Sequence, residues 1–366
     1  MNEGKGFTIG CTGLTVTGQK RGCYKMQMDP NRTIEAALPV RAAQYKWAAA
    51  LATFLLTAGI LSLARWKAPF PILLADRFLP GSGWIQILLL AIYGVLLINR
   101  MADRRDTAGI RLRIWLTFSV VFFAQFILGV AGFEKLLMTG RLHVPVPAVV
   151  IAGPIFRGER FFMPILFVST IVLVGPAWCS HLCYIGAWDG LAATARRRGG
   201  SLSSGWTWLR FAVFAATPVI AVLLRFFRVS GSSAGIVALG FGALGLAVMV
   251  GLSSRRGVMV HCTAICPLGV ASNLLGRMSP FRVRIGPSCT DCGRCTASCR
   301  YNALSAQRIA KRRPGYTCTL CGDCIASCET GALGYTFFRA SPSTSRLIFL
   351  TLAVSLHAVF LGVARI

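Results

Sequence analysis

Residues 289–299 read CTDCGRCTASC, and residues 318–328 repeat the pattern as CTLCGDCIASC. Both stretches have the spacing Cys-x2-Cys-x2-Cys-x3-Cys, which is typical of segments that hold two [4Fe-4S] clusters. In such segments the first three cysteines of a run bind one cluster, and the fourth reaches across to the other. The doubled spacing therefore predicts two [4Fe-4S] clusters on one ferredoxin-like segment.

The spacing assigns four thiolates to each cluster. The two predicted ligand sets are Cys289, Cys292, Cys295 and Cys328 for the first cluster and Cys318, Cys321, Cys324 and Cys299 for the second. The alternative is a pair of zinc sites, but zinc usually takes Cys-x2-4-Cys pairs that longer loops separate. The proline that usually follows the fourth cysteine is replaced by Arg300 and by Glu329.

Two further cysteine pairs precede this segment, and each has the spacing Cys-x3-Cys next to a histidine. The residues concerned are Cys179, Cys183 and His181 in the first motif and Cys262, Cys266 and His261 in the second. Residues four apart share one face if a helix continues, so the pairs can present four thiols to one site. The set is a third metal centre, a redox-active pair of dithiols, or buried structural thiols. Cys11 and Cys23 match no cluster spacing and are interpreted as free thiols.

The composition indicates that the chain lies in a membrane. Of its 366 residues, 55% are hydrophobic and 14% are charged, and the mean hydropathy is +0.62, which is too apolar for a soluble chain of this length. Apolar runs that span a bilayer, or nearly so, are predicted at about 47–64, 84–99, 114–132, 161–178, 211–224, 234–252 and 347–364. The runs at 84–99 and 211–224 are short, so the predicted count is six or seven helices.

The predicted fold class is mainly α, with a polytopic membrane helix domain and a cytoplasmic α+β segment of the bacterial two-cluster ferredoxin type. The predicted parts are an N-terminal cytoplasmic arm at 1–46, a transmembrane domain with both Cys-x3-Cys motifs at 47–279, the ferredoxin-like domain at 280–338, and a C-terminal transmembrane helix at 339–366. The arm contains no apolar core followed by a cleavage site, so no signal peptide is expected.

The distribution of charge predicts the orientation. The formal charge of +27 comes mainly from Lys and Arg between the apolar runs, which indicates membrane orientation rather than nucleic-acid binding. With the N-terminus in the cytoplasm, the positive loops at 100–113, 196–210 and 255–346 share its side. We therefore expect a multi-pass protein of the bacterial cytoplasmic membrane with the ferredoxin segment inside. His143 and His357 form no recurring pair for transmembrane haem ligation.

The combination of motifs resembles a known family. Membrane helices, two Cys-x3-Cys motifs of which the second reads His-Cys-x3-Cys-Pro, and a two-cluster ferredoxin segment are similar to membrane polyferredoxins of the NapH and MauN type. Relatives include the C-terminal half of NosR regulators and the CcoG oxidase-assembly proteins. The resemblance covers about residues 84–338, although Tyr184 replaces the proline that usually follows the first motif.

The resemblance implies electron flow between the quinone pool, or a cytoplasmic donor, and a partner oxidoreductase or its cytochrome subunits. On that interpretation the chain is a non-catalytic electron-transfer subunit in the lipid bilayer, with two clusters and either a third metal centre or a bound quinone. One alternative is an assembly or metal-handling factor that binds or reduces copper, because soft thiolates suit Cu(I). A redox regulator is a further alternative.

The predicted orientation can be tested with a reporter that is active only in the cytoplasm. Fusions after Arg105 and after Arg198 are expected to be active, and a fusion after Arg157 is expected to be inactive, because the Lys and Arg excess keeps the first two loops inside. The opposite pattern would move the ferredoxin segment to the outer side.

Overall fold

A computed structural model describes residues 38–102, 107–136 and 144–363. Most of the predicted N-terminal arm, with Cys11 and Cys23, lies outside the described residues, and so does His143. The chain from Ala43 onward forms one compact unit, which contains both the membrane helices and the ferredoxin-like segment.

The described chain is mainly helical. Its α-helices are α1 (Leu38–Lys67), α2 (Leu74–Phe78), α3 (Gly83–Ala102), α4 (Thr107–Val130), α5 (Val149–Arg157), α6 (Phe162–Val174), α7 (Tyr184–Thr194), α8 (Ser204–Phe226), α9 (Gly231–Val248), α10 (Ser254–Arg256), α11 (Pro267–Leu275), α12 (Arg294–Ser298), α13 (Ala306–Ala310), α14 (Asp323–Ala326) and α15 (Pro342–Val363). Short 3-10 turns cover Glu134–Leu136 and Gly175–Ala177, and π-helical turns cover Trp178–Leu182, Met249–Ser253 and His261–Ile265.

Seven helical stretches in the described chain are long and apolar enough to cross a membrane, which confirms the mainly α, polytopic prediction. They are Lys46–Lys67, Gly83–Ala102, Thr107–Val130, Phe162–Leu182, Gly205–Phe226, Gly231–Arg256 and Pro342–Val363. The two runs that look short in the sequence become full spans because the helices continue through flanking polar residues. Arg100 lies in the last turn of α3, and Arg210 lies inside α8.

The ends of these helices follow ordinary local rules. Ser230 precedes α9, and its hydroxyl accepts the N–H of Ser233 at 3.2 Å, as an N-cap residue does. Pro342 and Pro267 occupy the first position of α15 and α11, where a missing N–H leaves no helical hydrogen bond unmade. The fourth apolar run differs from its prediction, because the α-helix ends at Val174 and a 3-10 turn and a π-turn follow it.

The ferredoxin-like segment has one strand at its beginning and one at its end, and the two strands pair in an antiparallel sheet. Strand β1 (Phe281–Ile285) pairs with β2 (Leu333–Phe337) in a register that sets Phe281 opposite Phe337. The sheet packs on α15, where the ring of Phe349 stacks on Tyr335 with centroids 4.5 Å apart. The strands therefore fix both ends of the eight-cysteine segment against a membrane helix.

Helix α15 is the most enclosed of the seven spans. In its most apolar stretch, 72% of the residues are buried, against 11% in the corresponding stretch of α8. Its Arg346 side chain donates to the carbonyls of Ala102 at 2.6 Å and of Met101 at 2.7 Å. These carbonyls belong to the last turn of α3, which has no further helical N–H to bond. Arg346 thus joins the last span to the second.

A buried ion pair fastens the ferredoxin-like segment to the membrane helices. Arg111 of α4 donates from Nε to Asp323 Oδ1 at 3.1 Å and from Nη2 to Oδ2 at 2.8 Å, and its Nη1 donates to the carbonyl of Ser180 at 3.0 Å. Both side chains of the pair are less than a tenth exposed. The charge pattern predicts Arg111 in a cytoplasmic loop, whereas the structure places it in helix α4. The buried position is tolerated because Asp323 compensates the positive charge.

Replacing Asp323 with Asn is expected to destabilise the folded protein by about 3–5 kcal/mol, because removal of one partner leaves the buried Arg111 charge unpaired. The matched control is Glu329→Gln, which removes the exposed pair with Arg294 and is expected to cost about 0–1 kcal/mol. Thermal unfolding of the full-length protein in detergent measures both changes. Equal stability of the two variants would contradict this role of the Arg111–Asp323 pair.

Candidate metal centres

The eight cysteines of the ferredoxin-like segment surround two separate cavities. Cys289, Cys292, Cys295 and Cys328 line a cavity with an empty volume of about 300 Å³. Cys299, Cys318, Cys321 and Cys324 line a second one of about 340 Å³. The structure therefore brings together the two groups of four that the spacing predicts, with the fourth cysteine of each run exchanged. We name them the outer and the inner cysteine cavity, respectively.

Two glycines shape the loops around these cavities. Gly293 and Gly322 have φ angles of 74° and 84°, a left-handed conformation, and each directly precedes a short helix, α12 or α14. At Gly322 an added Cβ would lie 2.6 Å from the hydroxyl oxygen of Tyr335, so a larger side chain does not fit. Each loop can therefore turn tightly after its second cysteine, and the short helix that follows carries the third, Cys295 or Cys324.

The two cavities differ in exposure. Cys292 in the outer cavity is exposed, whereas Cys299 and Cys324 in the inner cavity are buried. Burial raises the pKa of Cys318 to about 12, so an empty inner cavity would keep this thiol protonated at neutral pH. Binding of a metal cluster displaces such protons, because thiolates are the ligands. Four converging thiols in each cavity fit a cluster that takes one thiolate at each corner.

The residues that replace the customary prolines make contacts of their own. Arg300 donates from Nη1 to the carbonyls of Arg196 and Gly257, both at 2.9 Å, and from Nη2 to the carbonyl of Arg197 at 3.1 Å. These carbonyls lie in loops next to membrane helices, so Arg300 holds the segment against the helical domain. Glu329 forms an exposed ion pair with Arg294.

The two Cys-x3-Cys motifs adopt the same backbone geometry. In each, a π-helical turn ends when the second cysteine takes an extended conformation, and a new α-helix follows. The N–H of Cys183 donates to the carbonyl of Trp178 at 3.0 Å, and the N–H of Cys266 donates to the carbonyl of His261 at 2.8 Å. The shared-face argument assumes that an α-helix continues through each motif, and in the structure it does not. Instead, the first cysteine of each motif lies in a π-turn and the second lies directly after it.

The four cysteines of these turns converge. Burial raises the pKa of Cys262 well above its usual value, and Asp189 and the thiols of Cys266, Cys183 and Cys179 raise it further because they are near. Asp189 Oδ2 accepts the N–H of Cys262 at 2.9 Å. Among the described residues, no group of three His, Cys, Asp or Glu side chains is placed to hold a single metal ion. We name the four cysteines the turn site.

The two histidines of the motifs lie in different surroundings. His181 Nδ1 is 2.9 Å from the hydroxyl of Ser180, and its backbone carbonyl is 3.1 Å from Nδ1 of His357. His261 is buried, and neither of its ring nitrogens has a hydrogen-bond partner in the described chain. The structure also places the Tyr93 hydroxyl 3.2 Å from His357 Nε2, a polar contact between spans that no motif indicates.

Two hydrogen bonds connect the lining of the inner cavity to the first Cys-x3-Cys turn. Ser180 donates from its hydroxyl to the carbonyl of Thr319 at 2.9 Å, and the Tyr301 hydroxyl donates to the carbonyl of Cys179 at 3.2 Å. Thr319 and Tyr301 both line the inner cavity. Trp115 of α4 supports the same turn, because its Nε1 donates to the carbonyl of Cys183 at 2.7 Å. One short polar layer therefore separates the two candidate centres.

Comparison with known families gives a match on two stretches of the chain. Residues 154–199 and 238–286 match the model of a 4Fe-4S binding domain. The two matched stretches contain the two Cys-x3-Cys turns and end before Cys289, so the similarity falls on the turn site. No curated protein and no solved structure matches the chain.

The match and the seven spans that are long and apolar enough to cross a membrane are together consistent with the class of membrane iron-sulfur proteins. The resemblance to the NapH and MauN type stays a prediction within that class.

Single serine substitutions test the two cavities separately. Cys292→Ser is expected to remove or degrade the cluster of the outer cavity, and Cys321→Ser that of the inner cavity, because an alcohol is a poor substitute for a thiolate ligand. Cys23→Ser is the matched control and is expected to leave both clusters intact. Iron content and EPR spectra measure the outcome, and unchanged spectra in both cavity variants would refute these ligand sets.

Proposed function

We propose that this chain is a membrane-bound electron-transfer protein that carries one [4Fe-4S] cluster in each cysteine cavity and a third redox centre at the turn site. The observation that carries the proposal is the order of the three sites. The outer cavity reaches the surface at Cys292, the inner cavity contains the buried Cys299 and Cys324, and hydrogen bonds from Tyr301 and Ser180 connect it to the first turn of the turn site. Electrons can pass between such sites in sequence, and no catalytic acid or base is required.

The contacts between neighbouring sites support this sequence. The two cavities exchange their fourth cysteines, so Cys299 and Cys328 each connect one run to the other cavity. The hydroxyls of Tyr301 and Ser180 join the inner cavity to the first turn. Along the chain, Asp323 lies between Cys321 and Cys324 of the inner cavity. Its buried ion pair with Arg111 therefore holds the inner cavity against helix α4.

Basic surfaces beside the cysteine cavities favour an acidic redox partner. An open depression next to Cys292 is lined by Arg197, Arg198 and Arg294. A larger groove next to Cys318 is lined by five arginines, namely Arg277, Arg282, Arg284, Arg308 and Arg313. Positive charge around a redox centre attracts a negatively charged partner and speeds its encounter. A soluble donor or acceptor on the cytoplasmic side therefore fits this face.

The remaining parts of the proposal follow from the predicted orientation. The protein lies in the bacterial cytoplasmic membrane with the cavities inside, and it passes electrons between the quinone pool or a cytoplasmic donor and a partner oxidoreductase or its cytochrome subunits. The copper-handling alternative has no specific observation in its favour among the described residues.

Electron transfer can be tested with the full-length protein purified without oxygen and reconstituted in liposomes. The two cavities alone are expected to contribute about eight irons and about eight sulfides per chain. Dithionite or a quinol is expected to reduce the clusters, and an oxidised quinone or an acceptor protein to reoxidise them. The double variant Cys292→Ser, Cys321→Ser is the control. Clusters that neither reductant changes would refute the proposed function.

A further inference from the structure

Arg210 is a buried cation with no hydrogen-bond partner in the described chain. It lies on α8, inside a span that is long and apolar enough to cross a membrane, and its side chain is almost fully enclosed, with 2% of the residue exposed. None of its three guanidinium nitrogens has a hydrogen-bond partner in the part of the chain that the structure describes. The charge pattern predicts Arg210 in a cytoplasmic loop, and the structure corrects that placement.

Such an arrangement is unfavourable unless something negative lies nearby. Arginine cannot lose its proton in a protein, so it cannot escape the cost of burial by becoming neutral. Its guanidinium lies 4.7 Å from the ring centroid of Tyr316 and 5.8 Å from that of Phe211, and these contacts offset only part of the desolvation. Most buried charges in proteins are paired or coordinate a bound group.

The turn site is the neighbour that can supply this negative charge. Helix α8 packs against both the His261–Ile265 turn and α11, the two elements on either side of Cys266. The charge on Arg210 interacts with the thiols of Cys179 and Cys266, one from each turn. The hydroxyl of Ser272 on α11 lies within hydrogen-bonding reach of the Cys179 thiol. Arg210, whose guanidinium has no hydrogen-bond partner in the described chain, therefore lies on a helix that packs against the elements of the turn site.

We propose that the turn site holds an anionic iron-sulfur cluster and that Arg210 is its buried counter-cation. The inference rests on the proposed function and specifies its third centre. Four thiolates outweigh the positive charge of an iron-sulfide core, so the bound cluster is anionic and compensates Arg210.

The competing occupants fit less well. A disulfide or a pair of neutral thiols would leave Arg210 uncompensated, and the described cysteines are free. A single zinc ion takes four ligands around one point, and no three candidate ligands in the described chain are placed to hold one ion. An iron-sulfur core instead places its metal ions at separate corners, so its ligands lie farther apart. The lack of a single-ion site among the described residues and the charge of Arg210 therefore favour the same kind of occupant.

The test compares four full-length variants with the wild type in detergent and without oxygen. Arg210→Gln removes the charge, and Arg210→Lys retains it. Arg225→Gln removes an exposed charge on the same helix and is the matched control. The fourth variant carries serine at Cys179, Cys183, Cys262 and Cys266 and serves as the reference without a turn-site cluster. EPR-monitored redox titration and iron content are measured for each.

Relative to the wild type, the quadruple variant is expected to lose about four irons and one EPR signal. For that signal, Arg210→Gln is expected to lower the reduction potential, because reduction adds negative charge beside the missing cation. Arg210→Lys and Arg225→Gln are expected to keep the potential near that of the wild type. The signals of the two cysteine cavities are expected in every variant and show that each is folded.

Two results would overturn the inference. If the quadruple variant keeps the iron content and all signals of the wild type, the turn site holds no cluster. If Arg210→Gln leaves the potential of the third signal unchanged, Arg210 is not its counter-cation. Loss of the cavity signals from the wild type itself would instead refute the proposed function, so the two failures are distinguishable.

Discussion

The ion pair between Arg111 and Asp323 is the constraint on which the arrangement of the sites depends. Asp323 sits between two cysteines of the inner cavity, and Arg111 comes from a membrane helix. The same guanidinium donates to the carbonyl of Ser180 in the first turn. One buried cation therefore sets the position of the inner cavity relative to the turn site. Because an unpaired partner would be costly, the segment cannot shift without losing this stabilisation.

The sequence alone predicts those features that depend on residues close together in the chain. The spacing of the eight cysteines predicts which four surround each cavity, because two runs with this spacing typically exchange their fourth cysteines. The length of the apolar runs predicts the mainly α architecture, because a helix needs a fixed number of residues to cross a bilayer. The possibility of one site at the two Cys-x3-Cys motifs also follows from their repetition.

Features that depend on distant residues were not predictable in this way. Arg111 and Arg210 flank apolar runs, so the charge pattern places them in loops. Only the folded structure shows that one meets Asp323 and the other lies beside Cys179 and Cys266. The π-turns are equally hidden, because Tyr184 in the first motif and Pro267 in the second suggest different local structures. Both positions nevertheless begin a helix after an extended cysteine.

The enclosed position of α15 constrains the biogenesis of the protein. This helix follows the other six spans in the chain, so the ribosome synthesises it after them, yet it packs against α3 and its Phe349 covers the ferredoxin sheet. The contacts that α15 makes with α3 and with the ferredoxin sheet therefore form only after the earlier spans have been synthesised. Docking of the eight-cysteine segment cannot be completed before α15 is present, because α15 provides the surface on which its sheet packs.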